Sequence, residues 1–249
     1  MIALEVKNIW KSFGSKHVLQ GVNLSVMEGE SLVILGGSGC GKSVLLRIIL
    51  GMLKPDKGSI FLWGKDISAI SDAERRALMI KIGMLFQHSA LFDSLTVWEN
   101  IAFGAIASKK IIRKEGYDFA KKFVEKIGLD VSVLSLFPTD LSGGMQKRVG
   151  LARAIAQQPS LIFFDEPTTG LDPLMCRLID DLILHNVRSL KAASVTITHD
   201  LISAKRVGDR VAMLYEGRIL WEGAIDHIDA CKDPYVRQFL EARCVDKVL

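Results

Sequence analysis

Eight residues, GGSGCGKS from Gly36 to Ser43, lie between the apolar run SLVIL (31–35) and a segment of helical spacing that continues through LLRIILGML (45–53). A buried strand that runs through glycines directly into a helix admits few architectures, and it predicts an α/β body with a phosphate-binding loop at a strand end. The glycines let consecutive backbone N–H groups turn toward phosphate oxygens, and the helix behind them adds the positive end of its dipole. Lys42 then reaches the β- and γ-phosphates of a nucleotide, and the Ser43 hydroxyl ligates Mg²⁺. Gly36, Gly37, Ser38, Gly39, Cys40, Gly41, Lys42, Ser43 and Val44 are therefore candidate nucleotide contacts. A plain glycine turn before an ordinary helix is the alternative, and it accounts less well for the strand–loop–helix context.

LIFFDEP (161–167) supplies what such a loop lacks. Its four apolar residues predict a buried strand with Asp165 at the carboxyl end, where α/β folds place ligands and where a carboxylate can hold Mg²⁺. Glu166, one residue on, is placed to polarise a water for attack on the γ-phosphate. An acidic strand end is common by itself, but it gains meaning downstream of a phosphate loop. Three further candidates are weaker alone. His199 after the strand SVTIT could bond the γ-phosphate or be a structural histidine. Gln87, ending IGMLF, could touch Mg²⁺ or the attacking water or be a loop residue. Phe13 could stack on adenine or belong to the core.

Elsewhere IALEV (2–6), VNLSV (22–26) and SIFLW (59–63) read as strands, with turns at Gly14, Glu28-Gly29 and Pro55-Asp56. Helices are predicted from Lys42 to about Met52 and, capped by Ser71-Asp72, over a short segment before IGMLF (82–86). Thr96 and Glu99 form a capping box that opens TVWENIAFG (96–104), and IIRKEGYDFAKKFVEKIGL and QKRVGLARAIAQQ continue a helical stretch. From Leu161 α/β alternation resumes through a helix near Leu174–Leu190, SVTIT, VAMLY and RILWEG. The organisation predicted is one domain over 1–249: an α/β core at 1–90 and 159–232, a helical subdomain at 91–158, and a short helical tail at 233–249.

Composition narrows the classes. The net charge of +4 comes from interleaved rather than blocked charges and so does not argue for nucleic acid, and the sequence has no basic patch interleaved with aromatics, so no nucleic-acid partner is expected. Cys40, Cys176, Cys231 and Cys244 have no metal spacing and read as reduced thiols. The alternating N-terminus reads as a strand and not a signal peptide, and no apolar run approaches the ~20 residues of a membrane span. The expectation is a soluble chain that a partner would have to hold at any membrane.

LSGGMQKR (141–148) looks at first redundant, because a serine and two glycines opening a basic helix form a second phosphate-gripping end. The ordered set GGSGCGKS, Gln87, LSGGMQKR, LIFFDEP, GLDP (170–173) and His199 resembles the ATP-binding subunit of ABC transporters over essentially the whole chain. That resemblance implies an ATPase of P-loop fold, with a mixed sheet core and an inserted helical subdomain, using ATP and Mg²⁺. It implies that Ser142, Gly143 and Gly144 close on the γ-phosphate of ATP held by a second copy, in a head-to-tail homodimer. Asp172 would lie in the loop linking the two sites. Met145 stands where most ABC proteins have Gln, with a Gln one place later at Gln146.

A narrower likeness is carried by MLFQHSALFDSLTVWENIAFG (84–104), the LSGGM form of the signature, PTTGLDP and DPYVRQFLE (233–241). These resemble the ATPase of Mla-type phospholipid transporters, which move lipid between inner and outer membranes and have a chloroplast relative. The resemblance implies placement on the cytoplasmic face of the inner membrane beneath two permease copies. It also implies an MCE-type periplasmic binding protein and a STAS-domain accessory protein. Two other readings share most of the same motifs: an importer ATPase for amino acids or other polar solutes, and a non-transport ABC ATPase acting on DNA or ribosomes. The last usually carries paired cassettes or a long coiled coil, and the sequence has neither.

Overall fold

The structure, a computed structural model, describes residues 1–245. In chain order the elements are β1 (Ile2–Phe13), β2 (Lys16–Met27), β3 (Ser31–Leu35), α1 (Lys42–Ile49), β4 (Lys57–Leu62) and β5 (Lys65–Asp66). There follow α2 (Asp72–Met79), β6 (Ile82–Leu85), α3 (Val97–Ala107), α4 (Gly116–Lys126), α5 (Gly143–Ile155), β7 (Leu161–Asp165) and α6 (Pro173–Leu190). β8 (Ala193–Thr198), α7 (Leu201–Val207), β9 (Arg210–Tyr215), β10 (Arg218–Ala224) and α8 (Pro234–Val245) complete it. Of the tail expected over 233–249, residues 246–249 lie outside the described residues.

The chain forms two compact units: Met1–Ser71 with the chain from Val195 onward, and Asp72–Ser194. In the first, β2-β1-β4-β5 form an antiparallel sheet. A second, mixed arrangement runs β10-β9-β3, with β3 parallel to β9 and β10 antiparallel to it. All five residues of β3 are buried, as a strand covered on both faces requires. β1 and β2 are each 12 residues, far longer than the five-residue runs predicted. Register shifts at Val6/Ile9 and Lys11/Ser12 interrupt the period-2 pattern that marks a strand in sequence. α1 ends at Ile49 rather than near Met52, because Gly51 takes φ 70° and its N–H bonds back to Ile48.

In the second unit β6 and β7 pair in parallel, Ile82 opposite Leu161 and Leu85 opposite Phe164. Helices α3, α4 and α5 pack together, burying Ile101, Ala105, Phe123, Val124, Val149 and Leu151. The capping box forms as its spacing predicts: Glu99 accepts from the Thr96 N–H and hydroxyl, both at 2.9 Å. Asn100, fully buried, ties down the loop before it by accepting from Phe92 N and donating to the Phe92, Leu95 and Thr96 carbonyls. Among the described residues no helix is long and apolar enough to cross a membrane.

Candidate active site

In the first unit, β3 delivers the chain to Gly36, where an added Cβ would sit 2.4 Å from the Leu214 carbonyl of β9. No side chain fits there, so the loop must begin with glycine. Gly41 caps α1 at φ 110°, no side chain bonds the cap, and the first turn carries no acidic residue. The leading N–H groups of α1 are thus unclaimed by a capping side chain, which suits a phosphate. Lys42, 7% exposed, donates to the Gly36 and Gly37 carbonyls at 2.8 and 2.9 Å. Ser43 is exposed in the first turn and Val44 half-buried.

Gly37, Ser38, Gly39 and Cys40 form one wall of a cavity of about 410 Å³. Its other wall includes Lys16, His17, Tyr215 and Tyr235. The lining sets the loop beside two basic side chains, Lys16 and His17, and one carboxylate, Glu216. Phe13, at the hairpin between β1 and β2, is 51% exposed. That rules out the core reading and leaves its ring available for stacking. His199 is half-buried between β8 and α7.

Tyr235 was not legible as a site residue. It opens α8, stacks on Tyr215 with centroids 3.7 Å apart, and lies beside the loop. Burial, with the charge of a neighbouring Tyr215 and Cys40 adding, pushes its hydroxyl pKa up.

The second unit holds the remaining candidates. Glu166 follows β7 at φ 47°, a left-handed conformation that non-glycine residues adopt at a cost of about 1–3 kcal/mol. Thr169 donates to its Oε2 at 3.0 Å, which orients the carboxylate. Asp165 ends β7 half-buried, and Gln87 lies half-buried two residues past β6. Ser142 caps α5, accepting from Met145 N at 3.4 Å, and both Ser142 and Gly143 are exposed. A Cβ at Gly144 would meet Met175 of α6 at 2.7 Å. Gln146 turns back to donate to Pro138 and Leu141, so it braces the approach to the signature rather than its exposed tip. Asp172 caps α6, accepting from Leu174 and Met175 N–H groups at 3.0 Å.

Lys147 is the residue the sequence reading missed. It is 6% exposed and donates to the carbonyls of Gln87 and Glu166, the latter at 3.3 Å. Burial pushes its ammonium below the ordinary lysine range, while Asp165 and Glu166 act in the opposite direction. The available signal was its register: 147, 151 and 154 share the buried face of α5.

A phosphate loop that must open on glycine, an acidic strand end with an oriented glutamate and a serine-capped signature helix are the parts of an ATP-hydrolysing P-loop cassette. The chain belongs to the ABC transporter family, whose model matches residues 19–169, and it is an ATPase subunit of that family. It is 37% identical over 96% of its length to the chloroplast protein trigalactosyldiacylglycerol 3 of Arabidopsis thaliana, covering 73% of that protein. It is 36% identical over 99% of its length to the probable ribonucleotide transport ATP-binding protein mkl of Mycobacterium leprae, covering 71% of it. It is 37% identical over 95% of its length to the L-cystine import ATP-binding protein TcyN of Bacillus subtilis, covering 92% of it. Among solved structures it resembles an ATP-binding cassette in a dimeric, post-hydrolysis state bound to ADP and phosphate. That match has TM-score 0.81 and 31% identity, covering 89% of this chain and 98% of that one.

Proposed function

We propose that this ATPase powers phospholipid transport between the inner and outer membranes. The carrying observation is the match along 96% of the chain to a chloroplast protein named for a galactolipid. The Mla-type segments over 84–104 and 233–241 agree with it. A second reading, import of an amino acid, is favoured by the L-cystine import relative, matched at the same identity. Both readings use the same chemistry. Lys42 and the amides of the loop and α1 hold the phosphates. The family resemblance assigns Ser43, Asp165 and Gln87, oxygen donors of the kind Mg²⁺ prefers, to hold that ion, which when bound would neutralise phosphate charge. Glu166 accepts the proton of the attacking water, His199 bonds the γ-phosphate, and Phe13 stacks on adenine.

The dimeric cassette among the structural relatives supports a head-to-tail homodimer in which Ser142, Gly143 and Gly144 complete the partner copy's site, with Asp172 between the two. Phe92 and Phe103, 43% and 45% exposed with ring centroids 4.7 Å apart, offer an apolar face for a permease on the cytoplasmic side of the inner membrane. An MCE-type binding protein and a STAS-domain protein complete the proposed complex. Purifying the tagged chain from membranes and identifying the co-purifying chains and extracted lipid tests this. An MCE-domain partner with bound phospholipid supports the lipid reading, and an amino-acid-binding protein overturns it.

A further inference from the structure

The grip of α5 on the loop after β6 is not explained by packing alone. Lys147 donates to the Gln87 carbonyl and, on its other side, to the Glu166 carbonyl. Two turns along the same helix, Arg153 donates to the Ser89 and Ala90 carbonyls at 2.6 and 2.7 Å. Between them Gly150 lies so close to the loop that a Cβ would meet Leu85 at 2.8 Å and Ser89 at 3.2 Å. Ser89 and Ala90 both hold left-handed φ values, 60° and 47°, as does Glu166 at 47°. These strained backbones need an external hold, and the cations of α5 supply it.

The two hydrogen bonds of Lys147 differ from those of Arg153 in what they join. One amine ties together two backbone positions to which the proposed function assigns roles in the reaction: the loop residue Gln87 and the general base Glu166. We propose that Lys147 is a positioning residue for ATP hydrolysis, setting the placement of Gln87 and Glu166 relative to each other through their carbonyl oxygens. It acts only through those two carbonyls. Ser142 caps the same helix five residues earlier, about 7.5 Å along its axis, so the seating of the signature end also sets where Lys147 holds the two carbonyls. This rests on the assignment of Glu166 as the base. It adds an internal tie that a hydrophobic residue at 147 could not make.

The test is Lys147→Met in the full-length chain, which keeps length and burial but removes every donor. Steady-state turnover, ATP affinity without Mg²⁺ and thermal midpoint are measured together. Displacing a reacting group by about 1 Å costs roughly 100-fold in rate. The expected result is therefore a fall in kcat of about tenfold or more, with ATP affinity within about twofold of wild type, because Lys42 and the phosphate loop are untouched. Lys147→Gln, which restores donors without charge, should recover part of the rate. A folded Lys147→Met enzyme with kcat within about threefold of wild type overturns the proposal. So does a parallel loss of kcat and affinity that Gln does not relieve, which is the pattern of general loosening. If Met does not fold, Lys147→Leu is measured in its place, since apolar residues often replace a buried charge without loss of stability. Failure of both to fold overturns the proposal in favour of a purely structural lysine. Glu166→Gln assayed alongside separates the two ideas: normal turnover in that variant removes the base assignment whatever Lys147→Met does.

Discussion

Lys42 donates to the carbonyl of Gly36, six residues before it, at 2.8 Å, so the cation proposed to bind phosphate is held by its own loop. Removing the amine as Lys42→Ala takes away the side-chain cation from the loop. A hydrogen bond to a charged group contributes about 1.5–3 kcal/mol, so ATP affinity by calorimetry should fall roughly 10- to 100-fold. Unchanged binding would count against the whole site.

Glu166→Gln should keep ATP binding and lose turnover. The amide preserves the shape that Thr169 orients but has no basicity. A positioned general base contributes roughly 10²–10⁴-fold in rate. ATPase assays that return near wild-type kcat would show that another group takes the proton.

The proposed head-to-tail arrangement makes a complementation prediction. One chain carries Lys42→Ala, another Ser142→Arg at the exposed cap of α5, and both carry Glu166→Gln to prevent hydrolysis. In the mixed dimer one site holds both lesions and the other holds neither. Mixing at high protein concentration should trap about one ATP per dimer, while each lesion alone traps little. Trapping in the mixture that does not exceed the single lesions would place each signature on its own phosphate loop.

Asn100 spends all its hydrogen-bonding capacity on the loop over Phe92–Thr96. Asn100→Leu strands those carbonyls in a buried site and should destabilise the chain by about 3 kcal/mol in urea denaturation. Catalysis in the variant that remains folded should be near normal, since no proposed reacting group touches Asn100.

Glu99 gives a pH signature. The bond from the Thr96 backbone, then that of its hydroxyl and the charge of Arg113, hold the carboxyl below its usual range. Its folded pKa is thus lower than its unfolded one, so its stabilisation is present above about pH 4.3, the unfolded value, and fades as pH falls through the folded pKa. Glu99→Gln should lower the thermal midpoint at neutral pH by the equivalent of about 1 kcal/mol. The gap from wild type should close in strong acid, and a gap independent of pH would separate the carboxylate from the cap's stability.

What could be read from sequence is what short-range physics dictates. The phosphate loop depends on glycines within eight residues of a lysine. The Thr96–Glu99 box and the Ser142 and Asp172 caps depend on groups two or three residues apart, so residue type and spacing determine them before any tertiary contact exists. The buried strands SLVIL and LIFFD were legible for the same reason, as continuous apolar runs. The tertiary structure decided everything that pairs distant residues. It extended β1 and β2 through bulges that hide their alternation, and it exposed Phe13 where an aromatic could equally have been core. It brought Tyr235 of α8 onto Tyr215 beside the loop, and it turned Lys147 inward to carbonyls 60 and 19 residues away. A lysine in a basic stretch looks solvated in sequence. Only the burial of its helix face, and two carbonyl oxygens brought beside it, one of them on the left-handed backbone of Glu166, make it an internal donor.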